Sequence, residues 1–125
     1  MLENLRKVKV YFDGNKTPEG VTCSYVLIDE KTKIKKEQTI NLPKNTTVPE
    51  AEYWGLIYAL KAFKKTENVE LEIFGDSELV IKQIKSNWEC KKPQLRILRS
   101  EARNLLNRFV SYQIKWLPRE KNLAR

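Results

Sequence analysis

Three acidic residues stand at positions where a carboxylate could take part in chemistry. Asp13 ends a predicted strand and precedes a glycine, and Asp76 ends another strand and follows a glycine. Glu52 lies one helical turn before Leu56, inside the apolar stripe of a predicted helix. A carboxylate on the core-facing side of a helix is costly unless a cation neutralises it. Glu52 is therefore the sharpest of the three anomalies.

Each of these acids also has a simpler explanation when it is taken alone. The two aspartates fit ordinary turns, and Glu52 fits a helix start, where the helix dipole favours negative charge. Together, however, the three offer only oxygen ligands, which suit Mg²⁺ or Mn²⁺ rather than zinc. Two such cations about 3.5–4 Å apart can hold an attacking water and a departing oxygen on one phosphate. The residues alone therefore allow either Mg²⁺ or Mn²⁺ at this site.

The composition excludes several other kinds of active site. The 125 residues include no histidine, which removes Ser-His-Asp and Cys-His catalysis and histidine-bound zinc. Cys23 and Cys90 are too few and too far apart for a disulfide scaffold, so we expect buried, reduced thiols in a cytoplasmic protein. No apolar run reaches the about 20 residues that a membrane helix needs, and the charged first residues are not typical of a signal peptide.

The elements that must position the acids follow from hydrophobic spacing and turn residues. Thr47 and Glu50 predict a capping box at the start of the first helix. The first two strands of the chain are followed by a third in a hairpin, which favours a mixed α/β sheet over regular βα alternation. If the strands ending at Asp13 and Asp76 are parallel neighbours, their carboxyl ends bring the two aspartates together. Strands are predicted over 7–13, 21–29, 33–42, 69–74 and 111–117, and helices over 49–65, 77–85 and 94–109.

The surplus of basic residues is concentrated in the last third of the chain. Residues 1–81 carry 12 basic and 13 acidic side chains, whereas residues 82–125 carry 12 basic and 3 acidic ones. A one-sided basic surface favours a polyanionic partner, and nucleic acid before a membrane, because no strongly hydrophobic amphipathic helix accompanies it. A solvated lysine-rich surface is the alternative.

The same region supplies candidates for holding a nucleic acid strand. Arg96, Arg99 and Arg103 recur at spacings of three and four, which places them on one helix face opposite the apolar stripe. The preceding loop adds a tryptophan and two lysines, an aromatic surface and charges for phosphates. The alternative is that the arginines only solvate the helix and the tryptophan belongs to the core. The expected nucleic-acid contacts are Asn15, Thr47, Ser77, Trp88, Lys91, Lys92, Arg96 and Arg99.

Four short motifs occur in a fixed order along the chain. They are Tyr11-Phe12-Asp13-Gly14, Thr46-Thr47 followed by Ala51-Glu52-Tyr53, Asp76-Ser77-Glu78-Leu79-Val80, and Pro118-Arg119-Glu120-Lys121-Asn122. Their order and spacing resemble type 1 ribonuclease H over about residues 8–125. The resemblance implies a ribonuclease H-like mixed five-stranded sheet with helices packed on it. It also implies an endonuclease that uses two Mg²⁺ ions to hydrolyse the RNA strand of RNA–DNA hybrids, with Mn²⁺ as a substitute for Mg²⁺. The resemblance makes Asp13, Glu52 and Asp76 the catalytic metal ligands, and the expected products carry 5′-phosphate and 3′-hydroxyl ends.

Two positions depart from the pattern that this resemblance implies. The family's fourth catalytic carboxylate would fall one position past Arg125, so we expect a single domain over 1–125 that is truncated at its C-terminal helix, or an incomplete site. The paired asparagine that often contacts RNA 2′-hydroxyls is replaced by Val48-Pro49. A catalytically silent nucleic-acid-binding module is therefore the second hypothesis, and a receiver-like phosphotransfer domain is the third. In each case we expect a monomer without membrane contact.

Overall fold

The computed structural model describes residues 5–86 and 90–125. Within these ranges the chain forms five strands, three α-helices and one 3₁₀ turn. In chain order they are β1 (Arg6–Thr17), β2 (Gly20–Asp29), β3 (Lys35–Leu42), α1 (Val48–Lys61), β4 (Val69–Gly75), α2 (Glu78–Lys85), α3 (Pro93–Leu106), β5 (Ser111–Trp116) and the 3₁₀ turn Arg119–Lys121.

The strands form one mixed sheet in the order β3-β2-β1-β4-β5. β1 pairs antiparallel with β2 and parallel with β4. β2 pairs antiparallel with β3, and β4 pairs parallel with β5. β1 and β4 are therefore the parallel neighbours that the sequence analysis required. The antiparallel first half of the sheet is incompatible with the regular βα alternation of a receiver-like domain.

The core lies between the sheet and α1, which packs on β1 and β2. Alternate residues of β1, namely Val8, Val10 and Phe12, point into it and are buried. α1 is apolar around most of its circumference because α3 also packs against it. The apolar stripe predicted for α3, from Leu95 to Phe109, is buried as expected. No helix among the described residues is both long and apolar enough to cross a lipid bilayer.

β1 is longer than the sequence analysis predicted. The prediction ended it at Asp13-Gly14, but the strand continues to Thr17. Its last residues stay extended because they pair with the start of β2, as in the pair Lys16–Val21. The turn signal of Asp-Gly was wrong here, since the cross-strand hydrogen bonds to β2 decide the backbone conformation.

The helices α1 and α3 end earlier than predicted, at Lys61 and Leu106. In both, the last turn tightens, and Phe63 and Phe109 donate their backbone N–H groups to carbonyls three residues back. The two phenylalanine rings then meet edge to face, with centroids 5.2 Å apart. The apolar spacing that extended the predicted helices therefore comes from two aromatic residues that pack against each other beyond the helix ends.

Candidate metal centre

The three acids converge where β1 and β4 stop pairing. The parallel register ends at Tyr11 and Phe74, so Asp13 and Asp76 each lie two residues beyond the last pair. Glu52 reaches the same place from the N-terminal part of α1. One oxygen from each of the three carboxylates lies within 4.8 Å of the others. The structure thus brings together the residues that the sequence analysis singled out.

Two glycines let α1 approach β1 closely enough for this convergence. A Cβ atom on Gly14 would lie 2.4 Å from the backbone nitrogen of Glu52. A Cβ atom on Gly55 would lie 2.7 Å from the carbonyl oxygen of Asp13. Both distances are well below van der Waals contact, so a side chain at either position would push the helix away from the strand. The backbones that carry Asp13 and Glu52 therefore pack directly on each other.

The predicted capping box sets the direction in which α1 begins. The N–H of Glu50 donates to Oγ1 of Thr47 at 3.3 Å, and the N–H of Thr47 donates to Oε1 of Glu50 at 2.9 Å. These two bonds satisfy backbone donors that the first helical turn leaves without partners. Glu52 follows two residues later and is positioned by this start. The Thr47 side chain thus has a structural role of its own.

The cluster contains buried carboxylate oxygens that lack hydrogen-bond partners among the described residues. Asp13 and Glu52 are only 3% and 5% exposed, and the unpartnered atoms are Oδ1 of Asp13 and Oε2 of Glu52. A buried carboxylate without a partner costs free energy when it is charged. A cation is the partner that this arrangement accommodates, and the oxygen-only donor set fits a hard divalent ion.

The electrostatics of the cluster point the same way. Burial first, and then the negative charge of Asp76, raises the pKa of Asp13 to about 6. Burial, followed by the charges of Asp13 and Asp76, raises the pKa of Glu52 to about 9. The backbone N–H of Gly14 and the positive charge of Arg119 oppose both rises. The protein alone therefore does not compensate the negative charge that it gathers here.

Asn122 holds the third carboxylate, and the sequence analysis did not select it as a site residue. Its side-chain amide donates to Oδ2 of Asp76 and to the carbonyl oxygen of Phe12, each at 3.0 Å. Its own Oδ1 accepts from the N–H of Ala124 at 3.1 Å. Asn122 was visible as the last residue of the fourth motif. Its reach to β1, however, is a tertiary contact for which the local sequence carries no signal.

Two of the predicted nucleic-acid residues lie next to the cluster in the chain. Asn15 is exposed on β1, two residues after Asp13. Ser77 directly follows Asp76 and caps α2, with its Oγ accepting from the N–H of Val80 at 3.3 Å. Both flank the acid cluster, and Ser77 has a helix-capping role in addition to its position.

The remaining predicted nucleic-acid residues lie at the start of α3. Lys91 and Lys92 are exposed immediately before and at the beginning of the helix, whereas Trp88 lies outside the described residues. Arg96 donates from Nη1 to the carbonyl oxygen of Cys90 at 3.4 Å, and Arg99 is half-buried. Lys91, Lys92 and Arg96 are therefore exposed, and Arg99 is the half-buried member of this group.

Arg103 departs from the basic face that the sequence analysis predicted. Its Nη2 donates to three backbone carbonyl oxygens at and beyond the end of α2, at 2.8, 3.2 and 2.9 Å, on Gln83, Ile84 and Ser86. The last carbonyls of a helix lack partners within the helix, and a guanidinium satisfies them well. Arg103 therefore braces α2 against α3. The alternative of merely solvated arginines also misses this contact, because the face opposite the apolar stripe meets α2.

The chain is similar to one protein family profile and to several known proteins. Residues 11–124 match the family profile described as reverse transcriptase-like. A ribonuclease HI from Halobacterium salinarum is 36% identical over 120 residues, which make up 93% of this chain and 59% of that protein. The crystal structure of RNase H1 from Halobacterium salinarum superposes with a TM-score of 0.74 at 33% identity and covers 94% of each chain.

A second relative comes from Mycobacterium tuberculosis. A bifunctional protein of that organism is 32% identical over 110 residues, which make up 87% of this chain and 29% of that protein. The structure of a mycobacterial N-terminal RNase H domain superposes with a TM-score of 0.73 at 28% identity, and it covers 94% of this chain and 86% of that one. The chain therefore spans 59% and 29% of the length of these two relatives.

Proposed function

The chain belongs to the ribonuclease HI-like family, and from that premise we propose that it is an endonuclease that hydrolyses the RNA strand of RNA–DNA hybrids. One observation carries this proposal. Asp13, Glu52 and Asp76 converge within 4.8 Å, and two of their buried oxygens have no hydrogen-bond partner among the described residues. These are also the positions that match the ligand motifs of the family. We assign catalysis to them.

We propose Mg²⁺ as the cofactor, with Mn²⁺ able to replace it. The donor set consists of three carboxylates, which suits a hard cation that prefers oxygen. When bound, two such ions would activate a water for in-line attack and neutralise charge on the leaving 3′ oxygen. Asp13, Glu52 and Asp76 would hold them. We expect products with 5′-phosphate and 3′-hydroxyl ends.

The other residues of the centre contribute orientation and charge. Asn122 binds one oxygen of Asp76 and so fixes the direction of that carboxylate. The close packing at Gly14 holds Glu52 against β1. Arg119 already acts on Asp13 and Glu52 with its positive charge, and we assign to it the attraction of the substrate phosphate toward the cluster. The chain has no histidine to accept the proton of the attacking water, and we assign that role to the substrate phosphate or to solvent.

We further propose that the hybrid is held by exposed residues around the cluster and at the start of α3. Lys91 and Lys92 would contact phosphates, because both are fully exposed and carry charge. Asn15 and Ser77 would contact the strand beside the cluster. A monomer of one domain that works in the cytoplasm stays a prediction, and the free, buried thiols of Cys23 and Cys90 agree with a reducing compartment.

The direct test compares two identical substitutions on neighbouring strands. Asp13→Asn removes a proposed ligand and should lower Mg²⁺-dependent cleavage of a labelled RNA–DNA hybrid by about 10³-fold or more, since a bound cation supplies several kcal/mol to such a reaction. Asp29→Asn is the matched control, because Asp29 lies on β2 and contacts Arg6 rather than the cluster. Cleavage by the control should stay near that of the original protein. Equal cleavage by both variants would refute the proposal.

A further inference from the structure

A groove lies at the end of the sheet opposite the acid cluster. The start of β1, the end of β2 and the chain just after α1 border it, and its volume is about 650 Å³. Val8 in its wall comes five residues before Asp13, which corresponds to roughly 17 Å along the strand. The groove is therefore separate from the metal centre. We refer to the residues that line it as the basic groove: Arg6, Val8, Leu27, Asp29, Thr32, Ile34, Lys36, Ala62, Phe63, Lys64 and Lys65.

The basic groove combines apolar walls with a rim of positive charge. Phe63 and the exposed Ile34 supply the accessible apolar surface, whereas Val8 and Leu27 belong to the buried core and are only 2% and 7% exposed. Lys36 approaches from β3 and Lys64 from the segment that follows α1. An apolar hollow bordered by lysines matches a ligand that carries both an apolar group and negative charge.

The single acid of the lining does not balance this charge. Asp29 pairs with Arg6 at 3.1 Å, and its Oδ1 accepts from the backbone N–H groups of Lys31 and Thr32 at 3.0 and 3.1 Å. Asp29 is therefore committed to its own turn and to Arg6. Outside the lining, Glu67 lies near Lys65. The charges of Lys36 and Lys64 are the ones that the lining leaves for a ligand.

An exposed isoleucine extends the apolar surface of the basic groove. Ile34 is 66% exposed, although its backbone is firmly held. The preceding Lys33 has a left-handed backbone with φ of 64°, and the N–H of Ile34 donates to Oγ1 of Thr32 at 3.2 Å. Single exposed apolar residues are common, but this one borders an apolar hollow and is fixed in place. The backbone on this side of the groove is therefore held by a hydrogen bond in the absence of a ligand.

We propose that the basic groove binds an acidic peptide segment of a partner protein, with an apolar side chain of that segment inserted between β1 and the end of α1. Charge complementarity with Lys36 and Lys64 supports an acidic ligand. The accessible apolar lining favours a peptide over a nucleic acid backbone, which would contact the lysines and leave Ile34 and Phe63 uncovered. Nucleic acid binding at this surface is therefore an alternative that the test must separate.

The test uses a fluorescein-labelled synthetic peptide, Asp-Glu-Asp-Leu-Phe-Asp-Glu-Asp, and fluorescence anisotropy with the complete protein. We expect a Kd on the order of 10 µM at about 0.15 M salt, where the Debye length is about 8 Å. A second peptide with serine in place of leucine and phenylalanine should bind at least about tenfold more weakly, because it has no apolar side chain to bury. The double variant Lys36→Glu/Lys64→Glu should also lose about tenfold in affinity for the first peptide.

The control variant Lys44→Glu/Lys85→Glu changes the net charge by the same amount at exposed positions outside the groove. It should keep peptide affinity within about twofold, since exposed charges beyond a Debye length are screened. Equal losses in both double variants, or equal binding of both peptides, would overturn the proposal in favour of unspecific charge attraction. It would also fail if neither peptide bound. The same variants are tested with a labelled single-stranded DNA. If Lys36→Glu/Lys64→Glu lost binding to this DNA but kept its affinity for the peptide, the groove would be assigned to nucleic acid instead.

Discussion

Two aspartates on neighbouring strands, Asp13 and Asp29, have opposite surroundings. Asp29 accepts hydrogen bonds from backbone N–H groups and forms an ion pair with Arg6. These contacts lower its pKa, and the largest effect comes from the N–H of Thr32. Asp13 keeps a buried oxygen without a partner among the described residues, and burial together with Asp76 raises its pKa to about 6. The paired carboxylate stabilises a turn. The carboxylate of Asp13 is stabilised when it takes up a proton or when a cation arrives from outside. This difference separates an acid that the chain itself compensates from one that we propose to be a metal ligand.

The largest expected effect is a stabilisation when Glu52 is replaced by a residue that cannot ionise, because ionisation of Glu52 favours the unfolded chain. The pKa of Glu52 is raised from its ordinary value of 4.5 to about 9 in the folded protein. Protonation of Glu52 therefore stabilises the folded protein fully below pH 4.5, and this stabilisation is lost as the pH rises toward 9. Without metal, Glu52→Gln should therefore raise the free energy of unfolding by about 2–4 kcal/mol at pH 8 and leave it almost unchanged at pH 4.

Calorimetric melts in EDTA at the two pH values check this expectation. Adding Mg²⁺ should raise the melting temperature of the original protein and have much less effect on Glu52→Gln, because ligand binding to the folded state stabilises it. Parallel pH profiles for the two proteins in EDTA would show that Glu52 is compensated by the chain itself, and the contrast with Asp29 would disappear.

A smaller effect is expected where the chain itself contacts the cluster. Asn122→Ala leaves the Phe12 carbonyl and one oxygen of Asp76 without their donor, which should destabilise the protein by about 2 kcal/mol. It should also weaken Mn²⁺ binding about tenfold, the order of loss seen when a group that orients a metal ligand is removed. Isothermal titration with Mn²⁺ and urea denaturation measure the two effects.

Asn104→Ala is the matched control for that experiment, because Asn104 is an exposed residue of α3. It should change neither Mn²⁺ affinity nor stability by more than about 0.5 kcal/mol. An unchanged Mn²⁺ affinity in Asn122→Ala, together with the expected loss of stability, would mean that Asn122 only joins the C-terminal segment to β1.

The smallest expected effect concerns the paired aspartate. The contacts of Asp29 lower its pKa below the ordinary value of 3.8 in the folded protein. The charged carboxylate therefore stabilises the folded protein above pH 3.8, and this stabilisation is lost as the pH falls through the lowered pKa. Asp29→Asn should therefore cost about 1 kcal/mol at pH 7 and less at pH 2.5. Urea denaturation at both pH values checks this, with Mg²⁺ as a control that should not change the difference. An equal loss of stability at both pH values would mean that the effect comes from packing rather than from the charge of Asp29.

The sequence predicted most of the site because its acids conflict with their local patterns. Glu52 stood inside an apolar stripe, and Asp13 and Asp76 stood at the ends of strands that the connecting helix makes parallel neighbours. Asp29 also ends a strand before a turn, and composition alone does not distinguish it from Asp13. The distinction depends on Arg6 and on backbone donors, which only the folded chain brings together.

The residues that the sequence analysis missed or misplaced act through contacts distant along the chain. Arg103 lies opposite an apolar stripe, which predicts solvent, yet that face meets the end of α2. The side chain of Asn122 donates a hydrogen bond to Phe12, 110 positions earlier. The periodicity of apolar residues along the sequence does not predict such a long-range contact. The ends of α1 and α3 were misplaced for a related reason, since Phe63 and Phe109 keep helical spacing while packing on each other.

The bonds of Asn122 also bear on the order of events during synthesis. A chain that grows from its amino terminus can pair β1 with β2 early, since these strands are adjacent in sequence. The link from Asn122 to Phe12 and Asp76 spans 110 and 46 positions and forms only after nearly all of the described chain has left the ribosome. The hydrogen bond that orients the Asp76 carboxylate therefore cannot form until residue 122 has been synthesised.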